Sequence, residues 1–151
     1  MKIGLATSGL WKLRRTVELM VGGKACRLWP LRPDLDAIAG WGHKPTADRA
    51  RKLANSRGIP YIAFEDGFLR SVFPGSNEKP LSLVMDRTGI YYDARQQSDL
   101  EAHIRRRAMS QLPVKEIRAA MGLLREKRLS KYNNSTIQDV NELRLRSTGP
   151  D

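Results

Sequence analysis

The sequence predicts an α/β fold, in which a parallel sheet with crossover helices forms a doubly wound layer and a small antiparallel β-hairpin is attached. Apolar runs suited to buried strands alternate with segments of helical periodicity through the first half of the chain, an alternation typical of parallel sheets. Two further apolar runs flank an Arg-Thr-Gly turn at residues 87–89, which indicates the hairpin. A chain of 151 residues has the size of one domain.

The first half of the chain supplies three predicted strands and two predicted helices. Leu13, Val17 and Met20 recur at helical spacing until a pair of glycines ends the pattern. Thr46 is expected to cap the second helix and Gly58 to end it. One stretch is ambiguous, because its prolines exclude a helix. In chain order we expect a strand over 2–6, a helix over 10–21, the ambiguous stretch over 25–31, a strand over 36–41, a helix over 47–57 and a strand over 60–64.

The second half adds the hairpin and two more helices before the pattern changes. Ser98 and Glu101 have the spacing of a capping box, which predicts that a helix starts at Ser98. From about Asn134 no clear apolar face remains, so we expect residues 1–133 to form the domain and 134–151 a divergent, poorly ordered tail. The predicted elements are strands over 81–86 and 90–92, a helix from 98 with an apolar stripe of Leu100, Ile104 and Ala108, and a helix over 114–128.

The chain is strongly basic, with 27 Lys and Arg against 16 Asp and Glu and a net charge of +11. A field of this sign attracts polyanions, so nucleic acid, an anionic membrane surface and an anionic sugar nucleotide are all open, beside the plain alternative of a solvated basic surface. No apolar stretch approaches the length of a membrane span, and the N-terminus does not resemble a secretion signal. The single Cys26 cannot form an internal disulfide, which favours a reducing cytoplasm.

Several kinds of site lack their sequence signature. His43, His103 and Cys26 lie far apart and show no metal-ligand spacing, so we expect no metal site. No serine lies on a Gly-x-Ser-x-Gly elbow, which argues against a Ser-His-Asp triad. The loop at 42–46 matches neither a Walker motif nor the three-glycine dinucleotide fingerprint, so no bound cofactor is expected.

Two loops should meet beyond the carboxyl ends of the second and third strands, where ligands bind in folds of this class. One loop starts with Glu65 and Asp66, and Arg70 and Ser71 follow. A carboxylate there is suited to act as a base toward a sugar hydroxyl, with Arg70 either orienting that carboxylate or binding an anionic substrate. The alternative is a structural loop, held by an Asp–Arg pair and plugged by Phe68.

The other loop carries His43 and Lys44 just before a helix N-terminus, a position suited to a phosphate or carboxylate. The alternative is an ordinary strand-to-helix turn with an exposed basic pair. A third candidate is the predicted hairpin, where Asp86 and Asp93 flank a pair of tyrosines that includes Tyr92. A tyrosine can stack on a sugar ring, but tyrosines are also ordinary strand residues.

Six strings in the sequence resemble, in order, those of the capsule polysaccharide biosynthesis family, whose members are retaining β-Kdo transferases. They cover about residues 3–133 and match the N-terminal part of a transferase module. The strings are Trp41-Gly42-His43-Lys44-Pro45, Phe64-Glu65-Asp66-Gly67-Phe68-Leu69-Arg70-Ser71, Leu81-Ser82-Leu83-Val84-Met85-Asp86, Gly89-Ile90-Tyr91-Tyr92-Asp93-Ala94, Ser98-Asp99-Leu100-Glu101 and Leu129-Ser130-Lys131-Tyr132-Asn133.

The resemblance implies a Rossmann-like, acceptor-side domain similar to the N-terminal half of a GT-B-like glycosyltransferase. Family members transfer Kdo, an acidic eight-carbon sugar, from CMP-Kdo to a phospholipid-linked oligosaccharide in capsule polysaccharide biosynthesis and export. The implied setting is the cytoplasm, at the inner face of the inner membrane, and the basic charge is compatible with peripheral membrane contact. The resemblance implies that the Glu-Asp-Gly-Phe and Trp-Gly-His-Lys-Pro segments line the cleft. We therefore expect catalysis by Glu65 or Asp66, and substrate binding by Arg70, Ser71, His43, Lys44, Asp86, Tyr92 and Asp93.

The resemblance ends near Asn133. In the family, a loop of the form Asp-Gln-x-x-x-Asp-x-Ser follows, and it resembles the place of the nucleophilic aspartate in a double displacement. No such loop follows Asn133 here. We therefore expect a truncated or frameshifted relative that transfers no Kdo alone and binds CMP-Kdo only if a second domain is supplied. An incomplete domain would expose apolar surface, which favours self-association.

Two other functions stay open at this point. The first is a non-catalytic module that binds the anionic lipid-linked acceptor or the lipid and works with a separate donor domain. The second is a small basic nucleic-acid-binding protein, which predicts steeply salt-dependent binding. The chain contains no recognisable nucleic-acid module, so we expect no nucleic-acid partner.

Overall fold

The computed structural model describes residues 1–30, 33–73, 78–108 and 113–133. Five strands form one sheet in the order β2-β1-β3-β4-β5, in which β5 is antiparallel to β4 and the other pairs are parallel. The predicted α/β class and parallel sheet are confirmed, whereas the predicted tail over 134–151 lies outside the described residues. The elements are β1 (Lys2–Leu5), α1 (Ser8–Lys12), α2 (Arg14–Val21), β2 (Lys24–Arg27), β3 (Ala37–Trp41), α3 (Pro45–Ser56), β4 (Tyr61–Asp66), β5 (Leu83–Asp86), α4 (Asp99–Ala108) and α5 (Val114–Glu126).

The centre of the sheet is buried on both faces, because helices cover each side. On the face toward α2, Ile3 and Phe64 pack in one core cluster with Val17. On the face toward α3, Ile38 packs in a second cluster with Ala50. Burying a side chain as completely as Phe64 stabilises the fold by about 1.5–3 kcal/mol relative to leaving it in water. We call the two sides the α2 face and the α3 face.

The predicted helix over 10–21 is in fact two helices, with a break at Leu13. The hydroxyl of Thr7 accepts a hydrogen bond from the Leu10 N–H at 3.3 Å and caps α1. Leu13 leaves helical geometry at φ −102° and ψ 13°, and α2 then runs to a left-handed Gly22. The edge strand β2 starts one residue before the ambiguous stretch over 25–31, overlaps its first three residues and pairs with β1. Its pattern was weak because an edge strand buries little surface.

The predicted cap at Thr46 is wrong. Lys44 is the N-cap residue of α3, Pro45 is the first helical residue, and no side chain caps this end. Proline suits this position because its φ is already helical and it has no N–H that needs a partner. The loop between β3 and α3 is therefore two residues shorter than the sequence suggested.

The predicted hairpin within residues 81–92 is also wrong. Strand β5 pairs instead with β4, with Ala63 opposite Asp86 and Asp66 opposite Leu83, while residues 90–92 form no strand. The free edge of β4 gives β5 a longer pairing partner than the predicted strand over 90–92, which has only three residues. The capping box is confirmed, because the N–H of Ser98 donates to Glu101 Oε2 at 2.8 Å and the N–H of Glu101 donates to Ser98 Oγ at 3.2 Å.

The last helix, α5, buries none of its residues. On α4, Ile104 of the predicted stripe is 60% exposed. The segment after α5 nevertheless returns to the loop that follows β4. The Lys131 carbonyl accepts the N–H of Arg70 at 3.0 Å, and the N–H of Asn133 donates to the Val72 carbonyl at 2.9 Å. This return links the end of the described chain to the candidate site.

Candidate functional site

The two loops chosen from the sequence do lie side by side at the carboxyl edge of the sheet. Strands β3 and β4 are neighbours, with Trp41 opposite Phe64, and the N–H of Gly42 donates to the Phe64 carbonyl at 2.8 Å. Parallel strands end at the same edge, so the residues that follow β3 meet the last residues of β4. Strand β4 runs to Asp66, which places both candidate acids on the strand and not in a loop.

Glu65 and Asp66 point to opposite faces of the sheet. Successive side chains of a strand alternate, and Phe64 belongs to the α2-face core while Tyr61 packs against the α3-face core. Glu65 therefore shares the α3 face with Tyr61, and Asp66 shares the α2 face. Consistent with this, Lys44 lies near Glu65, and Arg70 binds Asp66. The two acids cannot act as a pair on one substrate atom.

Glu65 is a buried carboxylate with a cation beside it. Its side chain is 9% exposed, and Oε2 lies 4.0 Å from the Nζ of Lys44. Oε1 accepts the N–H of Asp66 at 3.1 Å. Burial, and next the negative charge of Glu65, raise the pKa of the Tyr91 hydroxyl above its usual value. The site thus holds a carboxylate whose surroundings also include a phenol.

Gly42 allows the Tyr92 hydroxyl and the Glu65 carboxylate to lie close together. Its φ is +54°, and a Cβ placed on it would lie 2.0 Å from the hydroxyl oxygen of Tyr92 and 3.0 Å from Glu65 Oε2. A residue with a side chain would be strained at this φ and would also collide with the Tyr92 hydroxyl. The Gly42 carbonyl accepts a hydrogen bond from the Tyr61 hydroxyl at 2.8 Å. This bond ties the loop between β3 and α3 to strand β4.

His43, Tyr92 and Asp93 form a second cluster on the same side of the loop. The N–H of His43 donates to the Tyr92 hydroxyl at 2.9 Å, and its Nδ1 lies 3.3 Å from Asp93 Oδ2. Arg95 donates to both Asp93 oxygens at 2.8 Å. The Arg95 guanidinium, and after it His43, hold the pKa of Asp93 well below its usual value. Sequence reasoning missed Arg95, although a basic residue two positions after an acid was a usable signal.

On the α2 face, Asp66 and Arg70 hold the loop that follows β4. The Arg70 Nε donates to Asp66 Oδ2 at 2.8 Å, and its Nη1 donates to Ser71 Oγ at 2.7 Å. Its guanidinium also lies 5.9 Å from the ring centroid of Tyr132, a residue that sequence reasoning did not select. Asp66 Oδ1 is buried and has no hydrogen-bond partner within the described residues. The Asp–Arg alternative considered from the sequence is thus present as an ion pair.

Asp86 is occupied by backbone groups of its own connection. Its Oδ1 accepts the N–H of Thr88 at 3.0 Å and that of Gly89 at 2.7 Å, and its Oδ2 accepts the N–H of Asp99 at 3.0 Å. The residue is 1% exposed. Asp86 therefore organises the turn after β5 and the start of α4, and contact with a substrate stays a prediction.

The candidate residues thus fall into three places. Glu65, Lys44 and the cluster of His43, Tyr92 and Asp93 share the α3 side of the carboxyl edge, Asp66, Arg70 and Ser71 share the α2 side, and Asp86 lies inside the β5–α4 connection. The arrangement on the α3 side combines a buried carboxylate, cations and phenols. Such a set can accept a proton from a hydroxyl and bind an anionic group.

Comparison with known proteins gives the family. The family model described as capsule polysaccharide biosynthesis protein matches residues 36–144. The chain belongs to this family. It is 42% identical over 104 residues to the capsule polysaccharide modification protein LipA of Neisseria meningitidis serogroup A, a match over 66% of this chain and 14% of that protein. It is 40% identical over 113 residues to the lipopolysaccharide-processing protein LpsZ of Rhizobium meliloti, over 72% of this chain and 25% of that protein.

A solved structure supports the fold and the resemblance. KpsC of Thermosulfurimonas dismutans, described as a β-Kdo 2,4 transferase, superposes with a TM-score of 0.76 and 35% identity over 92% of this chain and 44% of that chain. The fold expected from the resemblance is therefore confirmed, as is the likeness to β-Kdo transferases. This chain spans less than half the length of each of these three relatives. Among its described residues, no helix is both long and apolar enough to cross a membrane.

Proposed function

We propose that this chain forms the acceptor-side half of a β-Kdo transferase of capsule polysaccharide biosynthesis, with Glu65 facing the acceptor hydroxyl. The observation that carries the proposal is a buried carboxylate, 9% exposed and 4.0 Å from Lys44, at the carboxyl edge of a sheet that superposes on a β-Kdo 2,4 transferase. This edge is where α/β folds bind their substrates.

The chemistry of the transfer explains the choice of Glu65. The acceptor oxygen forms a bond to the anomeric carbon of Kdo and must lose its proton, which a nearby carboxylate can accept. The donor-side bond breaks in the same overall reaction, and CMP leaves with its electron pair. Lys44 supplies a positive charge near the carboxylate of an incoming acidic sugar. Asp66 is less suited, because Arg70 binds it on the other face, and we assign that pair to holding the loop.

The donor and the cellular setting belong to the same proposal. We propose that CMP-Kdo is bound by residues equivalent to those parts of KpsC that this chain does not match. The acceptor is then an anionic, lipid-linked glycan met in the cytoplasm at the inner face of the inner membrane, a setting that suits a net charge of +11. In the alternative, a non-catalytic acceptor-binding module, Glu65 would affect binding and not turnover.

A chimera tests the proposal. Residues 1–133 would replace the matching segment of the Thermosulfurimonas dismutans KpsC, and Kdo transfer from CMP-Kdo to a glycan acceptor would be measured. We expect the chimera to be active, and Glu65→Gln to lower its kcat by about 10²-fold or more. Glu116→Gln, on the exposed helix α5, is the matched control and should leave kcat unchanged.

Four results would count against the proposal. A folded but inactive chimera would remove the assignment to Kdo transfer. Equal kcat values for Glu65→Gln and Glu116→Gln would remove Glu65 as the base, and a change in KM alone would favour the binding module. Kdo incorporation by the isolated 151-residue chain would show that it is not an acceptor-side half.

A further inference from the structure

A cavity of about 550 Å³ lies on the α3 face, between α3 and the segment that follows β5. Its volume is within the range of small-ligand pockets in proteins. None of its lining residues other than His43 was selected from the sequence. The polar side chains in its wall are His43, Asp48, Arg51, Lys52, Asn55, Tyr61, Thr88 and Gln96.

The wall has the composition expected of a site for an acidic sugar. The side chains of Asn55 and Gln96 can donate to and accept from sugar hydroxyls, although Gln96 Nε2 also lies 3.3 Å from His43 Nδ1. The Thr88 hydroxyl already donates to Asp99 Oδ1 at 3.0 Å and can accept from a sugar. Arg51 and Lys52 are cations, whereas Asp48 is the acid among the lining residues and is paired with Arg51 at 3.2 Å. Because Asp48 is paired with Arg51, it does not neutralise Lys52. The positive charge of Lys52 therefore favours a ligand with an anionic group.

Two of the lining side chains are held in place before any ligand arrives. Tyr61 forms part of the wall and donates from its hydroxyl to the Gly42 carbonyl at 2.8 Å. Gly40 makes room for this ring, because a Cβ there would lie 2.3 Å from the Tyr61 hydroxyl oxygen. His43 is oriented by Asp93, 3.3 Å from its Nδ1. A prearranged wall lowers the entropy cost of binding.

The cavity lies on the same side of the sheet as Glu65. Tyr61 and Glu65 share the α3 face of β4 because they are four residues apart on one strand. The loop residues Gly42 and His43 lie between Tyr61 and Glu65. The Tyr92 hydroxyl lies against Gly42 and accepts the N–H of His43. A sugar bound in the cavity would therefore place the next unit of a glycan near the carboxylate.

We infer that this cavity binds one anionic sugar unit of the acceptor glycan, held through Lys52 and the amide side chains. This inference rests on the proposed function for the identity of the glycan. The anionic group is a carboxylate or a phosphate, since both suit an ammonium group. Kdo carries the carboxylate and glucose 1-phosphate carries the phosphate, so comparing their binding distinguishes the two groups. Glucose is the neutral reference.

Titration of the ¹⁵N-labelled 151-residue chain with these three sugars, followed by NMR, tests the inference. We expect amide shifts at 43, 52, 55, 88 and 96 with Kdo or with glucose 1-phosphate, and about tenfold weaker binding of glucose. Lys52→Gln should weaken binding of the anionic sugar about five- to tenfold, and Asn55→Trp should abolish it by filling the cavity. Both positions are exposed on α3, so the fold should survive. Lys24→Gln, on the opposite edge strand, is the matched control.

The outcomes separate this inference from the proposed function. Shifts that cluster around 70–72, or binding unaffected by Lys52→Gln and Asn55→Trp, would overturn the cavity assignment, as would the absence of binding by all three sugars. The KpsC chimera could still be active in each of those cases. Conversely, an inactive chimera with shifts confined to the cavity would leave the sugar site standing and remove its link to Kdo transfer.

Discussion

Gly42 shows how a single residue without a side chain shapes the candidate site. Its left-handed backbone turns the chain from β3 into α3, and its missing Cβ leaves room for the Tyr92 hydroxyl and the Glu65 carboxylate. Gly58 has a similar φ of +63°, but a Cβ added there would meet nothing within 4 Å, and Gly122 is helical with open space around it. Gly42 therefore combines a strained φ with close contacts, Gly58 has the strained φ alone, and Gly122 has neither.

We predict graded effects for alanine at these three positions. Gly42→Ala should lower the free energy of unfolding by about 3 kcal/mol, because strain and a collision add. Gly58→Ala should cost about 1 kcal/mol from the backbone alone, and Gly122→Ala should stabilise α5 by up to about 1 kcal/mol. Urea denaturation measures all three. Equal losses at Gly42 and Gly58 would show that the contacts at Gly42 are not tight.

Asp93 makes the stability of the chain depend on acid pH. Its pKa is lowered in the folded state by Arg95 and His43, so the unfolded chain binds a proton more readily. The stabilisation is therefore complete above the unfolded pKa of about 4 and declines as the pH falls through and below it. We predict that Asp93→Asn is less stable than the parent at pH 5 and that this difference shrinks by pH 3, as measured by urea denaturation. A difference that stays constant, as expected for the control Glu116→Gln, would contradict the prediction.

At the scale of elements, the connection from β5 to α4 depends on Asp86. One buried carboxylate receives N–H groups from the turn and from the first residue of the helix. Carboxylates favour helix N-termini because they satisfy free N–H groups and complement the helix dipole. This explains why the chain turns away after β5 and does not form the predicted hairpin.

We predict that Asp86→Ala lowers the free energy of unfolding by about 2–4 kcal/mol, because the buried N–H of Gly89 and the part-buried N–H groups of Thr88 and Asp99 lose this partner. Asp48→Ala is the control. It removes an exposed ion pair between Asp48 and Arg51 and should cost less than about 1 kcal/mol. Thermal denaturation of both variants measures the difference. Similar losses would mean that Asp86 is not the residue that holds the connection.

At the scale of the whole molecule, apolar surface is left uncovered. Val114, Ile117, Met121 and Leu124 recur on one side of α5 and are 37–49% exposed. Exposed apolar stripes of this kind mark association surfaces. The self-association expected from the sequence therefore stays a prediction, now assigned to a particular helix.

We predict that the mean mass of the chain in sedimentation experiments rises with concentration. The double variant Ile117→Gln and Met121→Gln should suppress this rise, because it makes the α5 stripe polar. Leu19→Gln is the matched control, since Leu19 is 84% exposed on α2 but is not part of that stripe. A constant monomer mass for the parent chain, or equal behaviour of both variants, would exclude α5 as the contact surface.

The sequence alone determined the fold class, the carboxyl edge as the candidate site and the family. Strand periodicity and Pro/Gly punctuation are local properties, and adjacent parallel strands must bring Lys44 and Glu65 to one edge. The capping box at Ser98 is likewise local, and it is confirmed.

Only the tertiary structure decided which candidate residues lie together. The sequence could not show that β4 extends to Asp66, and this extension sends Glu65 and Asp66 to opposite faces. Nor could it choose the partner of β5, because pairing depends on which sheet edge is free. The contacts of His43 with Tyr92 and Asp93 join residues about fifty positions apart. Such contacts depend on the packing of the whole chain, which no local pattern encodes.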